Sequence, residues 1–257
     1  QQRAIIAWNG TEEILLLSTD QRATQRSAVL EVIPLPSRPS IKLGSFATFE
    51  EAQKLVINKR MWVMAHGGKL AGNLQVPQQA ARITFEKKMG AHDLTVAEVL
   101  EGDAFVAFVQ DYLKNKYGTQ DAPIRPEFVK IIESYIEEGF KWFAFDVIVL
   151  GDKNQSREPI EYRFASDRVF YPMRISTLER GETKVDLLVF TAQGANHFEG
   201  LPAKAIEREP QLSAVAEDFA GLEETWKKFF PAELPLKIDH WKVRGDIASF
   251  DKDILVR

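Results

Sequence analysis

Asn9-Gly10 constrains this chain more than any other feature, because it sits between two apolar runs, Ala4-Ile5-Ile6-Ala7-Trp8 and Ile14-Leu15-Leu16-Leu17. Asn-Gly accepts the positive backbone angles of a tight hairpin turn, so the two runs are expected to pair antiparallel. The second arm has no polar residue on either face. A strand of that kind belongs inside a sheet, covered on both sides, and a chain built around it must carry β structure on both flanks. Ala28 to Leu35 reads as a third strand, ended by Pro34, Pro36 and Pro39, which cannot donate to a ladder.

Helical spacing appears in three places. Thr48 to Lys59 reads as a helix with Thr48 as its cap, acidic Glu50 and Glu51 at its start and basic Lys59 and Arg60 at its end. Asp103 to Tyr117 places Phe105, Phe108, Val109 and Tyr112 on one stripe. Pro126 to Glu138 does the same with Phe128, Ile131, Ile132, Tyr135 and Ile136, with Gly139 at its end. These two helices are expected to pack on a strand from Trp142 to Leu150. Further strands are read at Ala81 to Lys87, Asp93 to Leu100, Ile160 to Phe164, Val169 to Ser176, Lys184 to Thr191 and Lys237 to Val243. Arg180-Gly181-Glu182 reads as a hairpin tip, Leu222 to Phe230 as a helix and Arg244-Gly245-Asp246 as a turn. Strands and a few helices without regular alternation predict an α+β fold of mainly antiparallel β-sheets with a few packed helices. The chain divides into an N-terminal hairpin region, 1–80, and an α+β region, 81–257, or forms one continuous domain.

Composition excludes more than it identifies. A net charge of −4 without basic stripes argues against nucleic acid and anionic membrane partners. The longest apolar run, Trp142 to Leu150, is interrupted by Asp146, so no transmembrane segment is expected. The absence of cysteine removes disulfides, thiol catalysis and cysteine-ligated metals. The four histidines, His66, His92, His197 and His240, lie too far apart in sequence for a zinc helix, so no metal and no cofactor is expected. No nucleophile elbow is present, and no catalytic residue is assigned. His66, His92 and His197 with nearby carboxylates are the candidates for a polar site assembled from distant residues. Asn9 and Asn154 match the glycosylation pattern, and Asn154, in the polar stretch from Gly151 to Glu158, is the better acceptor.

The stretch from Met61 to Gln79 reads as a long loop, since Gly67, Gly68, Gly72 and Pro77 oppose regular structure. Trp62 and Met64 are expected to tuck into the core. Leu70, Leu74 and Val76 are expected to meet another chain, and this makes them the candidate binding residues.

Several stretches in order resemble the domain-of-unknown-function 2330 family of bacterial and archaeal proteins. They are Gly90-Ala91-His92-Asp93-Leu94-Thr95-Val96, the helix closed by Tyr117-Gly118, Tyr135 to Ala144, Arg163-Phe164-Ala165-Ser166-Asp167, and Tyr171-Pro172-Met173-Arg174-Ile175. The resemblance runs from about Ile83 to Phe190, and Ile5 to Pro36 fits the family's opening hairpin. It departs from the family in lacking the cysteines that many members carry. Members usually carry signal peptides, and this chain begins Gln1-Gln2-Arg3 without Met, so removal of a signal peptide is the expectation. The resemblance therefore implies an extracytoplasmic protein, secreted, periplasmic or on the cell surface, and supplies no activity. The leading expectation is a non-catalytic component that binds a protein partner or forms a homo-oligomer in a surface assembly, with sheet edges as docking sites. The alternatives are an exported hydrolase and a ligand-binding receptor.

Overall fold

The computed structural model describes residues 2–19, 27–65, 94–99, 102–117, 125–150, 158–196, 198–199, 205–219, 221–230 and 235–257. The first hairpin forms as its turn chemistry predicts. Strand β1 (Gln2–Trp8) pairs antiparallel with β2 (Glu12–Thr19), placing Ala4 opposite Leu17 and Trp8 opposite Glu13. Asn9 Oδ1 accepts from the backbone N–H of Thr11 at 3.0 Å and of Glu12 at 2.9 Å, and Gly10 takes φ +103°. A Cβ at Gly10 would touch nothing, so Gly10→Ala tests backbone strain alone. The expected loss is about 1–2 kcal/mol in urea unfolding, and an unchanged midpoint would show that the turn relaxes freely.

β2 lies inside an eight-stranded sheet with the order β11-β13-β9-β1-β2-β7-β4. Its members are β4 (Ser40–Leu43), β7 (Ile160–Ala165), β9 (Glu182–Thr191), β11 (Ile206–Arg208), β13 (Leu236–Asp246) and β12 (Leu212–Ala214), the last also on β13. β1 runs parallel to β9, and the other pairs in this sheet are antiparallel. Side chains alternate between two cores, as the period of two requires. Ile5, Ala7, Ile14, Leu16 and Phe190 face one core, while Ala4, Ile6, Leu15, Leu17 and Leu187 face the other.

The second core is closed by two smaller sheets. One has the order β10-β14-β8, from Phe198–Glu199, Ile254–Val256 and Val169–Tyr171. The other has the order β3-β6-β5, from Ser27–Leu35, Trp142–Leu150 and Leu94–Glu98. Pro34 is tolerated within β3 because, among the described residues, that strand is an edge. Ile33, Leu35 and Ala144 point toward the large sheet, and Val32, Phe143 and Phe145 point away, onto helices α2 (Gly102–Tyr117) and α3 (Pro126–Glu137). The fold is α+β. Strands from both ends of the chain share its sheets, and the boundary expected at residue 80 lies outside the described residues, as does the strand expected at 81–87.

Several local expectations are corrected. Helix α1 spans Phe46–Ala65, longer at both ends than Thr48 to Lys59. Ser45 caps it, its Oγ accepting from Ala47 N–H at 3.1 Å, while Thr48 Oγ1 donates to Glu223. Residues 61–65, read as loop, are its last turn, because no glycine or proline intervenes before Gly67. Trp62 and Met64 are not tucked in: they are 60% and 42% exposed, and Val63 faces the core instead. The strand at Val169 stops at Tyr171, where Pro172 ends the ladder and residues 174–178 form a 3-10 turn. Arg180 to Glu182 therefore joins that turn to β9 rather than two strands. Leu222 to Phe230 holds one helical turn, α4 (Glu224–Lys227). Arg244-Gly245-Asp246 is no turn but the end of β13, paired with Lys184, Thr183 and Glu182.

Candidate functional site

Leu70, Leu74 and Val76, the three histidines His66, His92 and His197, and Asn154 lie outside the described residues. Asn9 is described, and its amide is committed: Nδ2 donates to the Phe229 carbonyl at 3.3 Å while Oδ1 holds the turn. Among the described residues no group of three His, Cys, Asp or Glu side chains could hold a metal, and no helix is long and apolar enough to cross a membrane.

The helix that sequence reading cut short carries the most distinctive surface. α1 lays Phe49, Ala52, Leu55 and Val56 on the large sheet, against Leu212, Ala214, Phe219 and Leu222. Ile57, Met61 and Met64 follow at i, i+4 and i+7, so they form one row on another face. They are exposed by 44%, 64% and 42%. The row was legible in the spacing and was missed because the glycines beyond it suggested a loop.

Polar contacts hold this end of α1 in place. His240 and Lys242 share the α1 face of β13 with Leu236 and Ile238 by strand alternation, and Lys242 stands directly opposite Asp186 of β9. Arg60 of α1 reaches into this group. Its guanidinium pairs with Glu209 and lies 3.3 Å from His240 Nδ1. Glu209 also pairs with Lys242, and its N–H donates to the His240 carbonyl at 3.1 Å. His240 Nε2 is 3.7 Å from Asp186. Burial by itself would raise the Glu209 carboxyl, but the Lys242 ammonium and then Arg60 outweigh it and hold the group below its ordinary range. Lys59 pairs with Asp218 at 2.5 Å. The charges answer one another, so this cluster reads as a clamp on α1 rather than as a reaction centre.

A second polar group lies between the sheets. Glu31 of β3 and Asp146 of β6 stand directly opposite each other, on the face turned to the large sheet. Asp146 is buried, and Thr19 Oγ1 donates to Glu31 at 3.2 Å. Burial first, then the Glu31 carboxylate, pushes the Tyr162 and Tyr171 hydroxyls up, with Asp146 adding to the effect at Tyr162. These tyrosines therefore stay neutral donors, and Tyr171 donates to Gln2 Oε1 at 2.8 Å.

The family model of an uncharacterized protein conserved in bacteria, DUF2330, matches residues 1–249. No curated protein matches the chain. Among solved structures it is similar to baculovirus P35, at 12% identity over 100% of this chain and 96% of that one, with a TM-score of 0.48. A mutated baculovirus P35 after caspase cleavage gives 12% identity, 100% and 93% coverage and 0.39. The caspase-8/P35 complex gives 12%, 100% and 90%, and 0.36. At these scores the likeness says nothing of what this chain binds.

Proposed function

The chain belongs to DUF2330, a family of uncharacterized proteins conserved in bacteria, and we propose that it is a non-catalytic, partner-binding protein that works outside the cytoplasm. The single observation that carries the binding reading is the row Ile57, Met61 and Met64 on a helix whose other flanks are pinned by Arg60 and Lys59. A rigid helix loses little entropy on docking, and methionine adapts its shape to an apolar groove. The occupant is taken to be another protein whose groove accepts an amphipathic helix face. The extracytoplasmic part rests on the resemblance to a family whose members usually carry signal peptides.

Ile57→Lys with Met61→Lys is expected to leave stability within about 0.5 kcal/mol, since both are surface sites. The same change is expected to weaken a micromolar or tighter association at least ~10-fold. The measurement is light scattering and quantitative co-purification of the wild type and the variant from the exported fraction of the source bacterium. A wild-type chain that stays a monomer with no stoichiometric partner would overturn the reading, as would a partner retained equally by the variant.

A further inference from the structure

The small sheet β10-β14-β8 covers the large one, and three buried carboxyls lie at and around the seam. Glu13 of β2 is fully buried, and its Oε2 accepts from the Phe170 N–H of β8 at 2.7 Å, while Oε1 has no hydrogen-bond partner among the described residues. Its ladder neighbours, Trp8 and Phe164, carry no charge. Asp253 immediately precedes β14. It accepts from the Tyr135 hydroxyl of α3 at 2.8 Å and from the Arg174 backbone N–H at 2.9 Å. The Arg174 guanidinium stands back at 3.9 Å and makes its short contacts with Glu138 instead. Asp239 of β13 accepts twice from Gln211 Nε2 at 3.1 Å and also from the Ala195 backbone, just ahead of β10. Its nearest guanidinium, Arg208, is likewise at 3.9 Å, and its ladder neighbour is Val189. Glu13 thus bonds β8 directly to β2, Asp239 holds Ala195 ahead of β10 on β13, and Asp253 ties the approach to β14 to α3 and to the turn after β8.

We propose that these three acids form a proton-operated clamp, which holds the small sheet and the segments leading into it in place in mildly acidic medium and loosens them as the pH rises. The donors, and the guanidiniums at 3.9 Å from Asp239 and Asp253, favour the ionised form, but removal from water opposes it and is the larger effect at carboxyls this deeply buried. Burial raises all three above the ordinary carboxylate value: Glu13 strongly, Asp239 in the same direction, and Asp253 to about 6. A group raised on folding stabilises the native state fully below its unfolded value, and that contribution fades as the pH climbs through the folded one. For Asp253 the window runs from 3.8 to about 6.

Hydrogen–deuterium exchange on the full chain at pH 5 and pH 8, corrected for intrinsic amide chemistry, tests this. Protection at Val169–Tyr171 and Ile254–Val256 is expected to fall at least ~10-fold more than at Ile5 and Leu188 of the large sheet, because a carboxyl that titrates one pH unit higher in the closed form than in the open form changes their ratio about tenfold. The isosteric triple variant Glu13→Gln, Asp239→Asn, Asp253→Asn is expected to lose that difference. No differential fall in the wild type, or the same fall in the variant, would overturn the clamp. Should the variant not fold, carboxyl NMR titration of the wild type decides. Glu13 and Asp253 titrating above the ordinary carboxylate range support the clamp, and either one titrating within that range overturns it.

Discussion

Ile132→Ala is expected to destabilise the chain by about 2–5 kcal/mol in denaturant unfolding, the range of large-to-small changes in a packed core. Ile132 is fully buried on α3, in the cluster that joins Tyr135, Phe105 and Val109 to Phe143 and Phe145 of β6. Phe108→Ala, on the same pair of helices, should cost about 1 kcal/mol or less because truncating a half-exposed ring leaves no closed cavity. The sequence stripe placed both residues on the core face. In the structure Phe108 is 45% exposed and sits edge-to-face with Phe145 at 5.8 Å between centroids. Equal losses for the two variants would mean that α2 turns Phe108 further into the core than this exposure allows.

Trp226→Ala is expected to cost about 3–5 kcal/mol, again from lost core volume. Trp226 is buried on the one-turn helix α4, and its Nε1–H donates to Glu161 Oε2 at 3.1 Å. Glu161 is itself buried and has Lys42 at 3.3 Å. Trp226→Phe keeps most of the apolar contact but removes the donor together with part of the buried ring, so its expected loss of about 1–3 kcal/mol sets an upper bound on the hydrogen bond. Urea midpoints for both variants measure the difference. A Phe variant as stable as wild type would show that the Glu161 carboxylate is satisfied by Lys42 alone.

Legibility differed from element to element for physical reasons. The hairpin at Asn9-Gly10 depends on two residues and the arms beside them, and those arms pair antiparallel as expected. The stripe of α3 was equally local, and Ile132 and Tyr135 are buried as its spacing requires. The end of α1 was misjudged because glycines further on were given the weight that belongs to the residues inside the helix. The polar clamp could not be read at all: Arg60 and His240 are 180 positions apart, and nothing in either neighbourhood points to the other. The sequence-predicted contact residues Leu70, Leu74 and Val76 were chosen for being apolar in a glycine-rich stretch, an argument that α1 meets more directly with Ile57, Met61 and Met64.

By itself the sequence determined the α+β class, the central place of β2 and the faces of α3, because turn chemistry and periodicity act over a few residues. Tertiary structure alone decided that β1 lies parallel to β9, that Arg60 meets Glu209 and His240, and that Glu13 bonds the small sheet to the large one while Asp239 and Asp253 hold the segments leading into it. Periodicity says which side chains share a face. What lies against that face is set by long-range strand pairing, whose partners no local pattern names.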